Sequence, residues 1–388
     1  MFVMPFFSFS INEVTPSLQK YNITANKLYF SKNTQLWKLI KKIPKSNINK
    51  LGFEKRHSVR SIGKKILFCL PPNIGLGDAI EYASALKSVS DSNIFEKLAV
   101  AFVGEFEFLL KDYFNLKNNY PYIIDNADLR KFDTIFHLTL EIQSLINQKY
   151  HRSDIYNEIT SFFKIKDTKI KKKFLKNKNY KIKKISVFPL SNSPIRTMPI
   201  ELLIKLTCLL KKHFTIEIFL NQNSEISNLI HKSLINEDVN IIDPKNKKTL
   251  ISSIKKIEYG IFMDSGPLHV AKMFNKKGLL IETSVSSKIL LHNYKMIKGI
   301  ENTFSSFFCK APCGLTDIFN HNNQHGCFDS LQIKKTKFKR ENYKNLINRG
   351  VKNHYKKNFI EPVGCVSSLN VQNIYNAIMK DLSLCEES

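Results

Sequence analysis

The sequence predicts an α/β protein built as two Rossmann-like halves joined by a basic linker, and three observations carry that prediction. Short apolar, β-rich runs alternate with helical patterns, as they do when parallel strands are joined by crossover helices. The alternation begins near Lys65, lapses over a Lys-dominated segment from about Lys164 to Lys184, and resumes at Ile185. The length of 388 residues exceeds one ordinary domain and suits two, each able to bury its own core. A hydrophobic fraction of 43% is that of a globular chain.

Each element follows from local pattern. Residues 1–62 read as a polar, basic extension. Its one amphipathic stretch, Leu36 to Ile43 before Pro44, either packs on the body or lies on a membrane surface. The first half, 63–165, opens with the strand-like Lys65–Leu70, stopped by Pro71-Pro72. A loop to Asp78 follows, then a helical pattern through Ile80, Ala83 and Leu86. Leu98–Val103 and Thr134–Thr139 read as further strands, and 166–184 as the linker. In the second half, 185–302, strands are expected at Ile185–Phe188, Thr215–Leu220, Val239–Ile242 and Tyr259–Phe262, with Leu279–Ile281 closing the series. Helices are expected over Glu201–Leu210, Ser224–Ile235 and Leu250–Ile257. Residues 303–388 form an irregular, Cys-containing tail whose last helix, with Val371, Ile374, Ile378 and Leu382 on one face, docks back on the body.

Composition narrows the function classes. The formal charge of +27 invites a nucleic-acid partner, but nearly all of it is Lys, spread along the chain. Arg is the residue of base reading and bidentate phosphate contact, and no nucleic-acid motif occurs, so no specific nucleic-acid partner is expected. An anionic membrane surface or an anionic lipid-linked acceptor suits the charge as well. No apolar run approaches the roughly 20 residues of a membrane span. Met1–Phe7 lacks the marks of a secretory signal, and seven cysteines are an odd number, so a reduced, cytoplasmic setting is expected.

The most informative stretch is Met263-Asp264-Ser265-Gly266-Pro267-Leu268-His269-Val270-Ala271. It places an acid, a hydroxyl and a glycine at a strand-to-helix turn. There Ser265 can cap the helix, Gly266 lets a ligand approach the backbone, and the helix dipole favours a phosphate. The string closely resembles the Asp-Ser/Thr-Gly-Pro-x-His-x-Ala signature of glycosyltransferase family 9, the heptosyltransferases and their relatives.

That resemblance covers roughly residues 65 to 300 and implies a GT-B fold, two Rossmann-like domains facing each other across a cleft. It implies an inverting glycosyltransferase that needs no metal or other cofactor for catalysis. A sugar, such as heptose from ADP-heptose, would pass from a nucleotide-sugar donor to a lipopolysaccharide-type or other surface-glycan acceptor, lipid-linked or oligosaccharide. The protein would work in the cytoplasm, with peripheral contact on the inner face of the membrane. By the same resemblance Asp78, in Gly75-Leu76-Gly77-Asp78, is the general base; by its residues alone the loop is a tight turn with a capping acid. Ser191, Ser193 and Arg196, in Phe188–Pro199, match the donor-phosphate loop, with Arg196 in the place of a family lysine and Met198 in that of a Trp. Glu225 matches a ribose contact, or is a first-turn helix acid. Asp264, Ser265 and Gly266 would hold the donor. His269 either touches a phosphate or packs internally.

The chain departs from the family where Gly-Pro-Thr usually follows the next strand. Here Thr283-Ser284-Val285 stands, after Glu282. In the tail, Cys309, Cys313, Cys327 and Cys365 resemble parts of a family cysteine cluster, and either form a structural zinc site or remain thiols. The competing functional reading is a non-catalytic nucleotide- or polyanion-binding module on a degenerate glycosyltransferase fold.

Overall fold

The structure is a computed structural model. It describes residues 62–71, 74–102, 106–121, 124–125, 131–138, 154–165, 182–221, 224–235, 237–291, 294–307, 309–315, 327, 356, 359–362 and 364–383, and the backbone of five short strands before residue 50. The chain divides into two compact units, Met1–Ile146 with Ile155–Ile170, and Asn147–Asp154 with Lys171–Ser388. The amphipathic stretch Leu36–Ile43 and most of the basic insert at 334–357 lie outside the described residues.

In the first unit the expected polar extension carries strands β1 (Phe2–Pro5), β2 (Phe9–Asn12), β3 (Lys20–Ile23), β4 (Lys27–Phe30) and β5 (Ile48–Asn49). Their Phe, Tyr, Ile and Val content favours extended backbone. β2 and β3 form an antiparallel pair, and β1 lies between β4 and β5. The alternating body follows as β6 (Lys65–Cys69), β7 (Lys97–Phe102), β8 (Asn119–Pro121), β9 (Ile124–Asp125) and β10 (Thr134–His137). β9 extends the amino-terminal sheet through β4, whereas the other four make a parallel sheet in the order β10-β6-β7-β8. Helix α1 (Leu76–Asp91) buries Ile80, Tyr82, Ala83, Leu86 and Val89. Helix α2 (Ile155–Phe162) packs against α1, and Phe68, Phe136 and Phe163 meet in edge-to-face and tilted contacts beneath it.

The second unit is a six-stranded parallel sheet of β11 (Lys184–Phe188), β12 (Thr215–Phe219), β13 (Asn240–Ile242), β14 (Tyr259–Phe262), β15 (Lys277–Ile281) and β16 (Ile297–Ile300). Its order is β13-β12-β11-β14-β15-β16. β15 therefore does not close the series; β16, with Lys298 and Gly299 at its centre, is too polar to stand out in sequence but pairs with β15 along its length. The crossovers are α3 (Ile200–Leu210), α4 (Glu225–Ser233), α5 (Lys247–Ile254), α6 (Gly266–Met273) and α7 (Ser287–Leu290). Ile185, Val187, Ile216, Ile218, Ile261 and Leu279 form the core with Leu203 and Leu206 of α3. Met198, which stands where a Trp was expected, is fully buried in that core. Helix α8 (Val371–Ser383) docks as expected, burying Ile374, Ile378 and Leu382 beside α3, and the Tyr259 hydroxyl donates to Asp381 at 2.9 Å.

Candidate functional site

Strand order marks a candidate position for a site in each unit. From β11 the chain steps outward to β12 and β13, then returns to the other side of β11 for β14 and steps outward again. The loops after β11 and β14 consequently leave in opposite directions and open a crevice at the carboxyl edge, the usual ligand position in such sheets. The first unit repeats this device between β6 and β10. Ser191, Ser193 and Arg196 follow β11, Asp264 to Gly266 follow β14, and Asp78 lies in the first turn of the helix after β6.

The first two groups meet. Arg196 Nη1 lies 3.2 Å from Asp264 Oδ2 and donates to the Asp264 carbonyl at 3.0 Å. The Ser191 hydroxyl donates to the same carbonyl at 3.2 Å. Arg196 sits on a single 3₁₀ turn, Pro194–Arg196, and its side chain is 17% exposed against 9% for Asp264. Thr197, which sequence reasoning passed over, holds the loop in shape. Its hydroxyl donates to the Ser193 carbonyl at 2.9 Å and accepts the Ser191 N–H at 3.2 Å. A threonine between the loop hydroxyls and the helix start was the available signal. Ile195 packs the turn from behind against Ala311, Cys327, Cys365 and Val366 of the tail.

The remaining residues expected on the donor side are placed less uniformly. Ser265 occupies the N-cap position of α6 but does not cap it: its hydroxyl points back to the Met263 carbonyl at 3.4 Å. Pro267 lies in the first turn, where its missing N–H breaks no helical bond. Gly266 opens that helix and His269 follows one turn in, both half-buried. Glu225 is exposed in the first turn of α4, capped by Ser224, and Lys356 of the basic insert lies 2.6 Å from its Oε1. An exposed pair of this kind is worth only about 0–1 kcal/mol.

In the first unit Gly75 is the N-cap of α1 and Asp78 is exposed within the first turn. Tyr82, one turn further on, is fully buried. Burial, and then the Asp78 charge, push its hydroxyl well above the ordinary tyrosine range. The Asp78 carboxylate and the Tyr82 phenol are thus electrostatic neighbours on one helix face.

Of the two readings of the tail cysteines, zinc site or thiols, the described residues do not support the zinc site. Among the described residues no group of three or more His, Cys, Asp or Glu side chains is placed to hold a metal ion. Cys327 and Cys365 sit in an apolar cluster. Burial, then the neighbouring Cys327, Cys313 and Cys309, push the Cys365 thiol far up, and burial raises Cys313 too. No disulfide joins the described cysteines. Among the described residues no helix is long and apolar enough to cross a membrane.

No family model and no curated protein matches the chain. Solved structures do. The E. coli ADP-heptose heptosyltransferase II is 13% identical with a TM-score of 0.41, covering 61% of this chain and 90% of its own. The E. coli heptosyltransferase WaaC with ADP is 10% identical with a TM-score of 0.43, covering 75% and 99%. A family 9 glycosyltransferase from Veillonella parvula is 11% identical with a TM-score of 0.42, covering 62% and 86%. In fold, the chain is similar to the heptosyltransferases and to glycosyltransferase family 9.

Proposed function

We propose that the protein is an inverting glycosyltransferase that takes a sugar from a nucleoside-diphosphate donor. The observation that carries this reading is the Arg196–Asp264 pair at the strand-order reversal of the second sheet. Departure of a nucleoside diphosphate builds negative charge on its terminal phosphate. A guanidinium already fixed by Asp264, the hydroxyls of Ser191 and Ser193, and the positive end of α6 at Ser265–Gly266 are the groups that stabilise such charge without reorganising. His269 adds a donor one turn in, and Glu225, beyond β12, takes the ribose hydroxyls.

Asp78 acts as the general base. It removes the proton from an acceptor hydroxyl as that oxygen attacks the anomeric carbon, and configuration inverts in the single displacement. Tyr82, held neutral beside it, keeps the carboxylate company without competing for the proton at neutral pH. Sugar and acceptor follow the resemblance: a heptose or related sugar, and a lipopolysaccharide-type or other surface glycan, lipid-linked or free. The net charge of +27 would draw the protein to the anionic cytoplasmic face of a membrane, where such acceptors are built.

A thermal-shift panel of ADP, UDP and GDP with their sugar esters, on wild type and Asp264→Ala, tests the reading. At about a hundred times its dissociation constant a ligand adds about 2.7 kcal/mol to the folded state. Stabilisation by one nucleotide class, lost in the variant, supports the donor site. No shift with any nucleotide, together with salt-steep binding to any polyanion, moves the assignment to a binding module.

A further inference from the structure

The loop after β15 carries two side-chain hydroxyls that the fold itself does not use. Thr283 and Ser284 are each 1% exposed, and among the described residues neither Thr283 Oγ1 nor Ser284 Oγ has a hydrogen-bond partner. Buried polar groups are almost always paired, and an unpaired one costs free energy, so two in succession call for a reason. Their position supplies one. β14 and β15 run in register with Phe262 opposite Leu280, which sets Glu282–Ser284 beside Asp264–Gly266 at the same carboxyl edge of the sheet.

The loop is held from behind. The Glu282 carboxylate, 3% exposed, accepts the N–H of Ser287 at 2.6 Å and of Asn302 at 3.3 Å. The Asn302 side chain donates to the Cys365 carbonyl at 2.7 Å, and Gly314 N–H donates to the Ser284 carbonyl at 2.7 Å. Every backbone anchor is thus in place while the two hydroxyls stay unassigned. Directly before them, the buried Glu282 charge makes this flank hostile to a phosphate. A neutral, hydroxyl-rich group suits it, because sugar and side-chain hydroxyls both donate and accept.

We infer that Thr283 and Ser284 bind the hydroxyls of the transferred sugar, and set which sugar is accepted, while the diphosphate lies toward Arg196. This rests on the nucleotide-sugar reading above. Both oxygens are buried, so binding there requires the sugar to displace the side chains that cover them.

The test compares wild type with Thr283→Val, Ser284→Ala and the double variant. Melting temperature is recorded first, then affinity by calorimetry for ADP, UDP and GDP and for ADP-glucose, UDP-glucose and GDP-mannose. Unpaired hydroxyls are not stabilising, so the variants should melt at or above the wild-type temperature. The nucleoside diphosphate should bind as before, whereas the nucleotide sugar should lose about tenfold or more in the double variant. Equal loss for both ligands, an unchanged preference for the sugar ester, or a melting temperature lowered by several degrees overturns the inference and leaves the donor site standing. A wild type that binds none of the six ligands overturns the donor reading itself, and this inference with it.

Discussion

Arg196 Nη1 grips Asp264 twice, at 3.0 Å from its main-chain carbonyl and 3.2 Å from its carboxylate. The contact ties the loop after β11 to the loop after β14 where the strand order reverses, and it joins two stretches far apart in sequence. Both side chains are more than four-fifths buried, so the pair is shielded from the screening that makes surface pairs weak. Arg196→Ala should cost about 2 kcal/mol in urea unfolding, because the Asp264 carboxylate is left buried without its cation. Asp264→Ala should cost less, because Arg196 keeps its bond to the main-chain carbonyl. A double-mutant cycle should return a coupling of about 1 kcal/mol or more. Additive losses would mean that the two side chains do not interact.

The glycines of β14 and β15 are required by packing. Gly260 and Gly278 are register partners, and a Cβ on Gly278 would lie 2.2 Å from the Gly260 carbonyl oxygen. A Cβ on Gly260 would lie 2.1 Å from the Phe262 ring, itself stacked on Phe188. Gly278→Ala should therefore destabilise the second unit by about 3 kcal/mol, read as a lower urea midpoint with an unchanged slope. A variant as stable as wild type would show that the two strands can separate at no cost.

Tyr82 predicts an alkaline limit. Its folded-state value lies above the ordinary 10.0 because burial, then Asp78, disfavour the phenolate. Below that ordinary value the phenol is neutral in both folded and unfolded chains, and its contribution is fully present. As pH rises past about 10 the unfolded chain ionises first, and stability falls by about 1.4 kcal/mol per pH unit. Tyr82→Phe should flatten the loss of melting temperature between about pH 9 and 11 relative to wild type. Parallel curves would remove Tyr82 as the cause.

What was legible in the sequence follows from what each residue does alone. The strands with mostly apolar runs, such as Ile185–Phe188 and Tyr259–Phe262, and the helix face of Ile374 and Ile378, announce themselves because burial on both faces or one stripe leaves a periodic trace. Edge strands leave none: Asn119–Pro121 and Ile297–Ile300 are short and half polar, and only their neighbours make them strands. The site divides the same way. The turn Asp264–Gly266 is a local motif, but the Arg196 contact, the Thr197 brace and the Lys356–Glu225 pair depend on tertiary placement. Ser265 has the right residue type for a cap, yet its hydroxyl turns to Met263 instead.

In the proposed reaction labour is divided, with the donor held at Arg196 in the second unit and proton removal assigned to Asp78 in the first. Titration calorimetry of the nucleoside diphosphate that shifts the melting curve, on Arg196→Ala and Asp78→Asn, tests it most directly. Losing a charged hydrogen-bond donor should weaken binding by about 10- to 100-fold in Arg196→Ala. Binding should be unchanged in Asp78→Asn, which loses turnover alone. Equal weakening in both variants, or none in Arg196→Ala, would contradict the claim.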